Sequence, residues 1–223
     1  MMSRPIQNPA VTEATGGGPR WGVVGGFLAL AALAVTGCSI PIPQAAADPT
    51  RFYVLTAPST APAPEPAGAR PVVHLREVEV ATYLRARPIV VRRGQHEIEF
   101  REYARWGEPI ELGLGRVLRE ELLARGAAAA VLTPGMRAAG VTYNRELKVR
   151  VLTAEGSTDG SIAFRSVWEI FGPDGKNEPI ARGDFRAANL RWDGKTESEL
   201  VAGLSQAVAG LAAEISAELS KTK

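Results

Sequence analysis

The sequence predicts an α+β domain, a mostly antiparallel sheet with two main helices packed on one face, and three observations lead there. Two stretches carry apolar residues at helical spacing between favoured start and stop residues. Several others alternate apolar and polar residues with a period of two or are dense in Val and Ile. The order is strands, helix, strands, helix, without the strict alternation that builds a parallel sheet. At 223 residues the chain has room for one core plus a leader and linkers.

The first strand-like run is Arg51-Phe52-Tyr53-Val54-Leu55. It sits between two Pro/Ala-rich stretches, Ser39 to Thr50 and Thr56 to Pro71, whose composition favours extended linkers. Such an aromatic and β-branched run would be wasted in a linker, so it is expected to dock as a strand on the sheet edge. Val72 to Val80, Pro88 to Arg93 and Glu97 to Arg101 read as three further strands, with a turn at Arg93-Gly94-Gln95 between the last two.

Pro109 opens and Gly126 closes a stretch with Ile110, Leu114, Val117, Leu118 and Leu122 on one side, which is the first helix. A short strand is expected over Ala127 to Leu132, before a turn at Pro134-Gly135. Leu147, Val149 and Val151 then alternate with Lys148 and Arg150, and Ile162, Phe164, Trp168 and Ile170 continue the period of two. Asp159-Gly160 and Pro173-Asp174-Gly175 separate these strands from a third over Pro179 to Trp192, so a meander of hairpins is the economical connection. Thr196-Glu197-Ser198-Glu199 fits a capping box, and Leu200, Leu204, Val208, Leu211, Ile215 and Leu219 form one stripe of a long last helix.

The beginning of the chain reads as an export signal. A polar region ending in Arg20 precedes an apolar run from Trp21 to Val35, too short and too rich in Gly for a spanning helix of roughly 20 residues. Directly after it, Val35-Thr36-Gly37-Cys38 resembles the bacterial lipobox, in which small residues admit the peptidase and the thiol accepts the acyl group. Cys38 is the only cysteine, which excludes an internal disulfide and paired redox thiols. The expected organisation is therefore a lipoprotein signal peptide over 1–37, a lipidated Pro/Ala-rich tether over 38–71 carrying the docked strand 51–55, and a single α+β domain over 72–223. Two or three acyl chains on Cys38 would anchor stably where one does not. Ser39 replaces the Asp that favours inner-membrane retention in enteric bacteria, so the periplasmic face of the outer membrane is the expected location.

Chemistry is sparse. His74 and His96 lie in strand-like segments without a second ligand, no G-x-S-x-G elbow occurs, and Cys38 is committed to the leader. Gly175-Lys176 and Gly194-Lys195-Thr196 lack the glycine five positions earlier that a phosphate loop needs, and Gly113-Leu114-Gly115 lacks the third glycine of a dinucleotide fingerprint. No catalytic, metal or cofactor site is expected. With 26 basic and 24 acidic residues, no overall field draws nucleic acid. The charged and aromatic run Arg101 to Pro109 has two readings: a loop whose Trp106 plugs the sheet and whose Glu108 favours the helix N-terminus, or a partner surface of the Trp, Tyr and Arg type.

Arg51-Phe52-Tyr53-Val54-Leu55, Val78 to Leu84 with Pro88 to Arg92, and Arg105-Trp106-Gly107-Glu108-Pro109-Ile110 with Arg116-Val117-Leu118 together resemble the ABC-type transport auxiliary lipoproteins related to PqiC. Gly107 and Thr82 depart from the Ala and Pro common at those places. The resemblance implies a non-enzymatic outer-membrane lipoprotein. It would dock the periplasmic subunit of a transport system built on mammalian-cell-entry (MCE) domains, with a separate permease and ATPase, and assemble as a homo-oligomer in lipid transport. Tyr83, Leu84, Arg105, Trp106 and Glu108, in the runs that carry the resemblance, are the candidate partner interface. The rival expectation is a lipoprotein holding a small apolar ligand or lipid in its own cleft, and a third is an enzyme with a site of unfamiliar form.

Overall fold

Alternation in the sequence becomes pairing in the sheet. The computed structural model describes residues 46–58, 69–136, 142–173 and 178–221, so Cys38, the leader and part of the turn after Pro173 lie outside the described residues. Among those residues nine strands and two helices follow one another as β1 (Arg51–Tyr53), β2 (Val72–Leu75), β3 (Glu79–Val80), β4 (Pro88–Arg92), β5 (Ile98–Trp106), α1 (Ile110–Ala124), β6 (Ala130–Leu132), β7 (Arg145–Ser157), β8 (Ile162–Phe171), β9 (Ala181–Arg186) and α2 (Glu197–Lys221). The architecture is α+β, with one mixed sheet and both helices on one side of it. The unit that holds the whole sheet runs from Asp48 to Lys223, so β1 belongs to it.

The 13-residue β7 is the spine. Antiparallel ladders join β7 to β8, β8 to β9 and β4 to β5, and these contain most of the paired residues. Along the other edge of β7 run β2, β3 and β4 in succession, each parallel to it. The register slips by one residue between β2 and β3, and by six between β3 and β4, where a 3-10 turn at Thr82–Arg85 loops outward. β6 adds in parallel to β2, and β1 to β5.

β1 and β6 are shorter than expected, at Arg51–Tyr53 and Ala130–Leu132, and three larger differences in strand boundaries each have a cause. Val72 to Val80 is two strands because the inward residues change phase between Leu75 and Val78, and Val78 turns toward α1 at Gly115. β5 continues through the charged residues to Trp106, since pairing on both sides satisfies its backbone: Trp106 N–H donates to Arg87 O and Gly107 N–H to Tyr53 O. Pro179 to Trp192 shortens to β9; beyond Arg186 only an isolated bridge from Arg191 to Ser161 remains.

The helical face is apolar throughout. Leu147, Val149 and Val151 of β7 and Phe164, Trp168 and Ile170 of β8 are buried beneath Leu114, Leu118 and Leu122 of α1 and the expected stripe of α2. Each such side chain contributes about 1.5 to 3 kcal/mol on burial. Where both helices meet the sheet the residual cavity is only about 10 Å³, about the space one water needs. Two tryptophans lie flat across glycines. A Cβ on Gly183 would fall 2.6 Å from the Trp168 ring, and one on Gly156 would fall 2.8 Å from the Trp192 ring. Their indole N–H groups donate to Glu214 Oε1 at 2.8 Å and to Ser157 O at 3.1 Å, which lets both rings be buried without an orphan donor.

Helix ends follow local chemistry. Pro109 stands at the start of α1 and Gly126, at φ 64°, stops it in the left-handed region. At α2 the expected reciprocal capping box is replaced by a wider one. Glu199 accepts the Asp193 N–H at 3.1 Å, while the Asp193 carboxylate accepts the N–H groups of Lys195 and Thr196 and the Thr196 hydroxyl. The Asp193 carboxyl is thereby held below the ordinary carboxylate range. Asp193 takes the role because its turn brings the carboxylate under those amides. Although α2 is long and apolar enough to cross a membrane, its stripe is buried against the sheet.

Candidate docking surfaces

The segment between β1 and α1 is the part of the surface that the sequence singled out. Leu55, just beyond β1, is buried, and its carbonyl accepts a hydrogen bond from Arg116 Nη2 at 2.8 Å. The same nitrogen donates to Glu108 Oε1 at 2.6 Å, and the Glu108 carboxylate keeps the Arg116 guanidinium more firmly protonated than usual. Thr56 N–H donates to Ser205 Oγ, which itself donates to Val201 O within α2. The continuation of β1 is thus clasped by both helices.

The five candidate interface residues do not share one exposed patch. Leu84 is 1% exposed and Trp106 6%, and both belong to the core. Of the two readings of Trp106, its position is that of the sheet plug. Tyr83 is partly buried over the Arg92–Glu155 pair, whose Nε–Oε1 distance is 2.5 Å and whose carboxylate is 1% exposed. Burial, with the Glu155 carboxylate next to it, pushes the Tyr83 phenol up to about 12. Glu108 turns toward Arg116, and Arg105 is exposed opposite Phe52.

The face of the sheet away from the helices has two characters. Over β7, β8 and β9 it is charged, with Lys148, Glu169 and Arg182 in register across the three strands, and Arg150 and Asp184 one step on. Arg150 pairs with Glu79 at 2.7 Å and Arg165 with Asp184 at 2.5 Å, and the Arg165 guanidinium holds the Asp184 carboxyl below its usual range. Buried Glu146 gathers Arg76 and Lys148 at 3.6 Å and His74 at 3.8 Å. A broad open cleft of about 980 Å³ is lined largely by these charges. Over β1, its continuation and β5 the exposed apolar side chains are instead Phe52, Val54 and Phe100, while Tyr103 lines an open cleft of about 370 Å³ with Arg51, Tyr53 and Glu197. The sequence missed this division because it depends on which strands become neighbours.

No group of three or more His, Cys, Asp or Glu side chains is placed to hold a metal among the described residues; His74 stands on β2, and His96 lies in the turn between β4 and β5 rather than in a strand. Among the described residues, a closely packed core beneath an exposed, strand-built surface defines an α+β domain. The family of ABC-type transport auxiliary lipoprotein components matches residues 53–216, and the chain belongs to that family, as the sequence resemblance implied. Its role is accordingly that of a component associated with a transport system of the cell envelope.

Solved structures share the fold. A crystal structure of the Xanthomonas campestris protein XCC0632, of the DUF330 family, is 17% identical with a TM-score of 0.60, covering 75% of this chain and 93% of that one. A crystal structure of an uncharacterized protein is 18% identical with a TM-score of 0.58, covering 76% and 97%. A dodecameric PelC from Paraburkholderia phytofirmans is looser, at 15% identity and a TM-score of 0.39 over 72% and 92%. No curated protein matches the sequence.

Proposed function

We propose that the protein is an outer-membrane lipoprotein, anchored by acyl chains on Cys38, that docks the periplasmic MCE-domain subunit of a lipid-transport system at the outer membrane. Through that subunit it serves an inner-membrane permease and a cytoplasmic ATPase, and it acts as a homo-oligomer without catalysis or a cofactor of its own. The observation that carries this reading is the family match over residues 53–216, in a domain whose described core is closely packed between sheet and helices. A carrier of a small apolar ligand needs a pocket of some hundreds of Å³ with apolar walls. Among the described residues, the void where both helices meet the sheet is about 10 Å³ and the broad open cleft is lined largely by charged side chains. Of the candidate interface residues, Arg105 and parts of Tyr83 and Glu108 have exposed atoms that a partner would touch, whereas Leu84 and Trp106 are buried in the core.

The test is purification of the C-terminally tagged full chain from envelopes in mild detergent. The MCE subunit, permease and ATPase are expected to come with it, and Cys38→Ser is expected to lose outer-membrane fractionation. A protein that purifies alone from correctly fractionated outer membrane would contradict the docking role.

A further inference from the structure

Of the seven large hydrophobic side chains most exposed among the described residues, four fall on β1, its continuation and β5: Phe52 at 64%, Tyr103 at 50%, Val54 at 48% and Phe100 at 46%. The other three, Leu112, Met136 and Ile180, stand singly on other elements. Phe52 is in register with Arg105, and a Cβ at Gly107 would meet Val54 at 3.2 Å and Phe52 at 3.9 Å, so this glycine lets the two apolar residues lie close together over the strand end.

The chain itself says what covers this patch. Arg51 stands 13 residues after Cys38. Even fully extended, a segment of that length reaches only about 45 Å. With Cys38 lipidated, β1 is the element with the shortest chain path to the bilayer. Aromatic residues beside arginine suit the headgroup region, where a ring is buried and a polar tip stays wet. The unpaired outer edge of β1 is tolerated there too, because water remains available to its backbone, as it is not in the hydrocarbon. Charge is nearly balanced locally, Arg51 and Arg105 against Asp48 and Glu102, so the contact is apolar rather than a polybasic attraction.

We infer that the β1–β5 edge is a second membrane contact, in which Phe52, Val54 and Phe100 rest in the headgroup layer and fix the orientation of the domain on its anchor. The inference rests on the lipoprotein reading of Cys38.

The test uses the mature lipidated protein in phosphatidylcholine vesicles with and without brominated acyl chains, comparing Phe52→Trp with Ile180→Trp after subtraction of the wild-type signal. Intact mass first establishes acylation of Cys38; an unacylated N-terminus overturns the lipoprotein reading together with this inference. With Cys38 acylated, at least twofold stronger quenching at position 52 than at 180, unchanged by 0.5 M salt, is expected. Equal quenching at the two positions overturns the membrane contact alone. So does a Trp at 52 shielded from both brominated lipid and aqueous iodide, which would assign the patch to a protein neighbour.

Discussion

The two faces of the sheet are built from the same strands and do opposite things. On the helical side Leu147, Val149, Val151, Phe164, Trp168 and Ile170 disappear under α1 and α2. On the other side Lys148, Arg150, Arg165, Glu169, Arg182 and Asp184 cross the same three strands without a covering layer. Stability is therefore concentrated on one face, and the other is free to vary with little effect on folding. The open face is divided again, apolar over β1 and its continuation and charged over β7, β8 and β9.

Substitutions sharpen that contrast in order of size. Trp106→Ala removes a buried ring from the core and is expected to cost about 3 to 5 kcal/mol in a denaturant melt, as core tryptophans do. If the variant melts like wild type and instead loses its transport partner, the assignment of Trp106 to the covered side fails. Gly183→Ala sets a methyl against the rigid Trp168 ring and is expected to cost about 1 to 3 kcal/mol by overpacking, read from the same melts. A neutral result would mean that the Trp168 ring is not held flat across the strand.

Tyr83 is the exception on the open face, a phenol kept from water beside a buried carboxylate. Its pKa is raised from about 10 to about 12, so the unfolded chain loses this proton first. The stabilisation is fully present below pH 10 and is lost as the pH rises from about 10 to 12. The difference in stability between wild type and Tyr83→Phe should shrink across that window, as followed by unfolding at a series of alkaline pH values. A difference that stays constant from pH 8 to 12 would remove the phenol from this account. At the small end, Arg182→Ala on the exposed ladder is expected to change stability by no more than about 0.5 kcal/mol. A larger loss in the melt would show that the open face bears structural weight.

Much of the fold is legible in local patterns of the sequence. The period of two in β7 and β8, the Pro109 and Gly126 limits of α1 and the six-residue stripe of α2 are local signals, and each element forms where its pattern lies. What escapes such reading is non-local. β5 continues through Glu102 and Arg105 because β1 and β4 flank it, and nothing within those residues announces two neighbours. Trp106 reads as core plug or as partner surface until the parallel pairing of Tyr53 with Trp106 is known. The break at Arg76-Glu77 leaves a trace, the odd spacing from Leu75 to Val78, but its Val-rich context hides it. That Phe52 and Phe100 come to neighbouring strands likewise requires the fold, since they stand 48 positions apart in sequence.

Whether the domain works from its surface or from its interior is decided most directly by counting the lipids it carries. The mature protein, purified in detergent and passed through gel filtration in the presence of excess phospholipid, can be weighed by native mass spectrometry. The packed helical face predicts a mass that equals the polypeptide plus the acyl groups on Cys38, with no phospholipid retained. One phospholipid held per chain, surviving the column and lost on unfolding, would contradict the account.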